Sequence, residues 1–134
     1  MRFSLPTEAQ WEFAARGGNK SEKYKYSGHN DIDEVAWYIG NSGDVTHPIG
    51  LKLSNELGLY DMSGNVYEWC SDWSGMYGSG SENNPTGAKI GTRCVVRGGC
   101  SHYDSKICRV SHRGHKPPGY SFGYLGLRLT VELQ

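Results

Sequence analysis

The sequence lacks any stretch that could cross a membrane as a helix. Its apolar runs are only a few residues long, against the ~20 that a spanning helix needs. It lacks an excess of charge of either sign: Lys plus Arg and Asp plus Glu are 14 each. With no basic block, nothing supports a nucleic-acid partner held through its phosphates. It lacks C-x-x-C, the spacing that usually marks a structural zinc site. The opening MRFSLPTEAQ has no apolar run between a basic start and a small-residue cleavage site, so no signal peptide is read there. There is no tandem repeat and no coiled-coil heptad.

What is present fits one domain. The chain has 134 residues, 37% of them hydrophobic, with 19 glycines, an ordinary balance for a globular fold. Four cysteines, Cys70, Cys94, Cys100 and Cys108, permit either free thiols or any of three disulfide connectivities.

The clearest helix signal is LPTEAQWEFAARGG. Thr7 is a good N-cap, Gln10 completes a capping box, Glu8 suits the first turn, and Gly17 and Gly18 stop the helix. This predicts a helix over about 8–16, with a helical turn near 31–35. GNVYEWCSDW alternates, with Val66, Glu68 and Cys70 on one side and Tyr67, Trp69 and Ser71 on the other, which predicts a strand. SGMYGSGSENNPTG reads as a loosely packed loop. TRCVVRGGC predicts a short strand stopped by two glycines. ICRVSHR alternates, and YLGLRLTVEL predicts a final strand with Leu125, Leu127, Leu129 and Val131 on one face. HRGHKPPGYSFGY, with two prolines and three glycines, predicts neither helix nor strand. Little helix, short strands and long loops define an α+β fold rich in irregular structure.

LPTEAQWEFAARGG, NELGLYDMSGNVYEWCSDW, RGGCS, CRVSHR and GLRL stand in the order found in the formylglycine-generating-enzyme (sulfatase-modifying factor) domain family, which the chain resembles over nearly its whole length. The resemblance implies a variant of the C-type lectin fold over 1–134, lacking the family's usual N-terminal segment, whose early strand pairs near the C-terminus. It also implies a calcium ion held by the carbonyls of Gly64 and Val66 and the carboxylate of Glu68, oxygen donors suited to a hard cation; the alternative is that Glu68 pairs with Arg97 or Arg128. Cys70 and Cys108 fall in motifs that pack together in the family, so a bridge between them is open.

The family's enzymes bind copper through two cysteines spaced C-x4-C, because soft thiolates suit Cu(I). Here the matching segment is RGGCSHYDSKICR, with Cys100 and Cys108 separated by seven residues. No copper is therefore expected, and the resemblance points to the scaffold rather than the chemistry. That scaffold also serves as a receptor-like binder, including in variable proteins of diversity-generating retroelements, where changes at the adenines of asparagine codons diversify a C-terminal stretch. His102, Tyr103, Asp104, Ile107, His112, Gly114, His115, Tyr120, Phe122, Gly123 and Tyr124 are all reachable by such changes, whereas Lys106 and Lys116 are not. With Ser101 they form the candidate ligand-binding set. Tyr, His and Phe give large rigid contact area while Ser, Gly and Asp adapt their hydrogen bonds.

The expected function is a non-catalytic module that presents this surface to a protein or glycan ligand. The alternatives are an enzyme or accessory domain of the sulfatase-modifying type, performing formylglycine generation or a related oxygen-dependent oxidation, and a domain excised from a larger receptor or kinase-linked protein.

Overall fold

The computed structural model describes residues 1–75, 86–88 and 91–133. Most of SGMYGSGSENNPTG lies outside the described residues. The elements run β1 (Arg2–Ser4), α1 (Glu8–Ala15), α2 (Ile32–Val35), β2 (Tyr67–Trp73), β3 (Cys94–Arg97), β4 (Arg113–Lys116), β5 (Leu125–Gly126) and β6 (Thr130–Glu132), with 3-10 turns at Gly18–Lys20 and Ser105–Cys108. This is the expected α+β architecture of short strands joined by long loops.

The α1 helix starts where its sequence says it should. Thr7 Oγ1 accepts from the Gln10 N–H at 3.1 Å, and Gln10 Oε1 accepts from the Thr7 N–H at 3.0 Å, so two orphan donors are satisfied reciprocally. Its buried side chains are Glu8, Trp11 and Ala15, while Phe13 faces solvent.

The main sheet has the order β4-β3-β2-β5. β2 and β3 are antiparallel with Trp69 opposite Val96, and a register shift follows before Trp73 meets Cys94. β5 joins the other edge of β2 in parallel. Burial on β2 follows the predicted alternation from Glu68 on, with Glu68, Cys70 and Asp72 buried and Ser71 exposed, while Tyr67 on the other face is buried as well. β3 ends at Gly98 and Gly99, both in the left-handed region at φ +97° and +70°, where glycine avoids a Cβ clash.

A separate two-stranded ribbon pairs β1 with β6, Phe3 opposite Val131. It brings the first and last strands of the chain together, a pairing that the helix-first reading of the N-terminus missed.

Two strand predictions need correction. ICRVSHR is not a strand through its middle; Ser105–Cys108 forms a 3-10 turn capped by Asp104. The strand begins instead at Arg113, inside the HRGHK stretch that predicted no strand, because β4 pairs with β3 from Arg97–Arg113 to Cys94–Lys116. The final strand is broken into β5 and β6. Leu127, Leu129 and Val131 are exposed rather than buried, while Arg128 between them turns inward to Glu68.

Three small apolar clusters form the core: Trp11, Ala15, Met62, Cys70, Val95 and Val110; Tyr26, Ile32, Val35, Ala36 and Cys108; and Tyr67, Val96 and Cys100. A buried ionic network joins α1 to the sheet. Arg97 is fully buried, with Nε 3.2 Å from Glu8 Oε2 and Nη2 paired with Glu12. Arg113 donates to both Glu8 oxygens at 2.7 Å. The Glu8 N–H donates to Asp72 Oδ1 at 2.7 Å.

Candidate functional site

The candidate surface is built by the loops that follow β3 and β4, which leave opposite ends of this antiparallel pair and meet over one face of the sheet. One follows Gly98–Gly99 and carries Ser101 to Asp104; the other follows β4 and carries Pro117 to Tyr124. Residues opposite one another on paired strands share a face. Gly114 stands opposite Val96, which packs on Tyr67, and His115 stands opposite Val95, which packs on Trp11. Lys116 therefore shares the Tyr67 face with Gly114, while Arg113 and His115 lie on the α1 face.

On the Tyr67 face five rings touch one another, with Tyr124 at their centre. His102 meets Tyr124 edge-on with centroids 4.5 Å apart, and Tyr103 meets Tyr124 at 5.7 Å and 89°. Phe122 lies 4.2 Å from Tyr124, and Tyr120 lies 4.6 Å from Phe122. Tyr103 leans at 6.5 Å on Tyr67, which is buried, so the ladder is anchored in the core. Lys116 Nζ sits 5.3 Å from the centroids of both Tyr120 and Phe122, a cation–π clasp. At the other end His102 Nδ1 lies 2.5 Å from Asp44 Oδ1. Tyr103 and Tyr120 are 44% and 46% exposed, while His102, Phe122 and Tyr124 are half-buried. The two tyrosine oxygens Tyr103 Oη and Tyr124 Oη stand 3.2 Å apart, and that hydrogen bond, with partial desolvation, pushes the Tyr124 phenol up to about 12.

The rest of the candidate set divides. Asp104 is exposed beside Tyr103 and accepts from the Lys106 N–H at 2.9 Å. Gly123 is exposed, with open space where a Cβ would stand. Ser101 is fully buried and leaves the surface set, because its N–H is tied to Asn65 O at 2.9 Å and its carbonyl accepts from Ser42 Oγ. Ile107 is a packing residue shared by two core clusters. Gly114 faces inward, where a Cβ would stand 3.0 Å from Val96 Cγ2. His115 is exposed but on the opposite face of β4. His112 is half-buried near Arg97, and burial, with that cation, holds its imidazole below the ordinary histidine range. Asp44 was not foreseen from the sequence. Its only local signal is the NSGD turn, in which Gly43 and Asp44 both have positive φ.

The four cysteines are free, so no Cys70–Cys108 bridge is present. Burial pushes the thiols of Cys70, Cys100 and Cys108 up, that of Cys108 to about 12. A buried thiol of that kind is a poor source of thiolate for a soft metal or a nucleophile.

The loop expected to hold calcium is tightly wound. Asp61, Gly64 and Asn65 all have positive φ, and a Cβ on Gly64 would stand 2.5 Å from Trp37 O. Both Glu68 oxygens are already engaged. Oε1 accepts from Trp11 Nε1 at 3.1 Å and from Arg128 Nε at 2.6 Å, and Oε2 accepts from Arg128 Nη2 at 3.0 Å. Glu68 as it stands does not offer a free ligand. The unpartnered acceptor of this segment is Asp61 Oδ1, which is buried without a hydrogen bond. Among the described residues no group of three or more His, Cys, Asp or Glu is placed to hold a metal.

Fold and motifs agree with the comparisons to known proteins. The model of the sulfatase-modifying factor enzyme 1-like domain matches residues 2–133, and the chain belongs to that family. It is similar in structure to Treponema denticola variable protein 1, with a TM-score of 0.87 and 41% identity over 95% of this chain and 46% of that one. It is 34% identical to the formylglycine-generating enzyme of Streptomyces coelicolor, over 92% of this chain and 45% of the relative. It is 37% identical to the serine/threonine-protein kinase Pkn1 of Chlamydia trachomatis, over 97% of this chain and 21% of the relative. The chain thus spans half or less of the length of these relatives. Among the described residues no helix is long and apolar enough to cross a membrane.

Proposed function

We propose that the chain is a non-catalytic binding module, C-type lectin-like in fold, that presents the ring ladder of His102, Tyr103, Tyr124, Phe122 and Tyr120 to a ligand and that its C-terminal loops are diversified by a retroelement. The observation that carries this reading is the ladder itself. Rings joined edge to face, resting on buried Tyr67 and clasped by Lys116, form a pre-ordered surface, and pre-order lowers the entropy that binding would otherwise cost. Likeness to a protein named as variable supports the diversification. The seven residues between Cys100 and Cys108, in place of a C-x4-C pair, and the burial of both thiols weigh against the enzymatic alternative.

The coding DNA tests the diversification. A near-identical downstream copy of the stretch encoding 102–124, differing only at adenines and followed by a reverse-transcriptase gene, is the expected finding. Absence of such a copy removes diversification and leaves plain ligand binding. Conversion of a Cys-x-Pro-x-Arg peptide to the aldehyde with stoichiometric copper would overturn the non-catalytic reading.

A structural calcium ion is the second reading, favoured by the orphaned Asp61 Oδ1. Asp61 with the carbonyls of Gly64 and Val66 would supply the hard donors, and Glu68 would share its carboxylate with Arg128. Calcium added to chelator-treated protein is expected to raise the melting temperature, and Asp61→Asn to abolish the rise. An unchanged melting temperature rejects the ion.

A further inference from the structure

The ladder also constrains what kind of ligand it meets. We propose, resting on the binding-module reading above, that the partner is a protein surface rather than a glycan, and that it sets a cationic side chain against Tyr103 beside Asp44 and Asp104.

The first argument is ring geometry. A sugar binds an aromatic platform by laying its C–H face on a wide, open ring face. In this ladder the contacts at 77°, 89° and 72° each press one ring's edge into a neighbour's face, and Lys116 lies over faces of Tyr120 and Phe122. About half of the ring faces are therefore engaged inside the ladder. What remains for a ligand is a broken set of faces, edges and phenolic hydroxyls, a surface suited to the mixed carbonyls, hydroxyls and apolar groups of a protein.

The second argument is shape. Small ligands and glycan ends are held in concave sites with convergent polar groups. Three cavities among the described residues, at Ile49–Arg128, Leu5–Pro118 and Pro6–Thr130, have no ladder ring in their walls. The ladder instead joins one loop to the other as a cluster of rings, and clustered aromatic side chains are enriched among the anchors of protein interfaces.

The third argument is polarity along the ladder. Its Tyr120 end already carries a cation, Lys116. Its Tyr103 end carries Asp44, with 68% of its side chain exposed, and exposed Asp104. Among the described residues neither aspartate has a Lys or Arg within ion-pair distance; Asp44 has only His102. An incoming Arg or Lys would find carboxylates and the partly exposed ring of Tyr103 at one end, and a cation would be repelled at the other. This asymmetry fixes the orientation of the partner.

Aromatic-region and backbone NMR titration of the whole chain tests the proposal with small probes. N-acetyl-arginine methylamide is expected to shift His102 and Tyr103 saturably at millimolar concentration, while N-acetyl-glutamate methylamide shifts Lys116 and Tyr120. Asp44→Asn with Asp104→Asn should weaken the arginine probe by up to about fivefold, the size of an exposed charge contact, and leave the glutamate probe unchanged. Both aspartates are exposed, and preserved spectral dispersion in the double variant confirms that it folds. Methyl glycosides of mannose, galactose and N-acetylglucosamine should leave the rings unshifted. A glycoside that shifts them more strongly than the amides overturns the proposal while sparing the binding-module reading. Failure of the arginine probe to shift the Tyr103 end also overturns it, and the adenine-differing repeat then decides the wider reading independently.

Discussion

Tyr103 Oη and Tyr124 Oη meet at 3.2 Å across two loops that are 21 residues apart in the chain. This contact joins the loop after β3 to the loop after β4 at the centre of the ladder. Where Tyr124 donates to Tyr103, ionising Tyr124 gives up the donated proton as well as creating a charge, and its phenol is held up at about 12. Tyr103→Phe should lower the titration midpoint of one tyrosine, followed by absorbance near 295 nm. An unchanged titration curve would mean that the hydroxyls do not bond in solution.

The thiols give a separate check on burial. Cys70, Cys100 and Cys108 are almost fully buried and Cys94 is half-buried. Native protein treated with iodoacetamide at pH 8 should gain its first adduct at Cys94, and all four cysteines should react after unfolding. Intact-mass loss of two hydrogens before labelling would show a disulfide and contradict the free thiols.

Arg97 anchors α1 to the sheet through Glu8, Glu12 and the carbonyl of Val110. Arg97→Ala leaves buried Glu8 with Arg113 alone and should cost about 3–5 kcal/mol, the scale for breaking a buried pair. Urea unfolding measures it. A loss below about 1 kcal/mol, the surface-pair scale, would show that the network is solvated.

His112 is held below its ordinary range first by burial and then by Arg97. Its folded pKa lies below its unfolded one, so the unfolded chain binds the proton more readily. The sign follows: this contribution to stability is complete above about pH 6.5 and declines as pH falls through the unfolded pKa toward the folded one. The melting temperature should drop between pH 7 and pH 5, and His112→Gln should flatten part of that slope. A slope identical in the variant would assign the drop to other groups.

Local rules were enough for the elements that local rules control. The Thr7–Gln10 box and the stop at Gly98–Gly99 were legible because each is decided within a few residues. The aromatic surface was legible as a composition of Tyr, His and Phe in one stretch. Its membership was not, because the β3–β4 register decides that His115 faces α1 and Lys116 faces the rings, and register is a long-range property. The same limit explains Leu127 and Leu129. Their alternation is real, yet the buried demand of Glu68 pulls Arg128 inward and turns the leucines out. Ser101 follows RGGC at the edge of the ring-bearing segment, but its backbone is tied to Asn65 and Ser42, partners far away in sequence.

The account stands on the ladder being a surface carried by the fold rather than part of what holds the fold together. Urea unfolding of the triple variant Tyr103→Ala, Tyr120→Ala, Phe122→Ala beside the single variant Tyr67→Ala tests this most directly. The triple variant should stay folded and lose no more than about 1–2 kcal/mol, as expected for partly exposed groups, whereas Tyr67→Ala should lose about 3–5 kcal/mol as a buried ring does. Collapse of the triple variant, with a loss matching or exceeding that of Tyr67→Ala, would contradict the account.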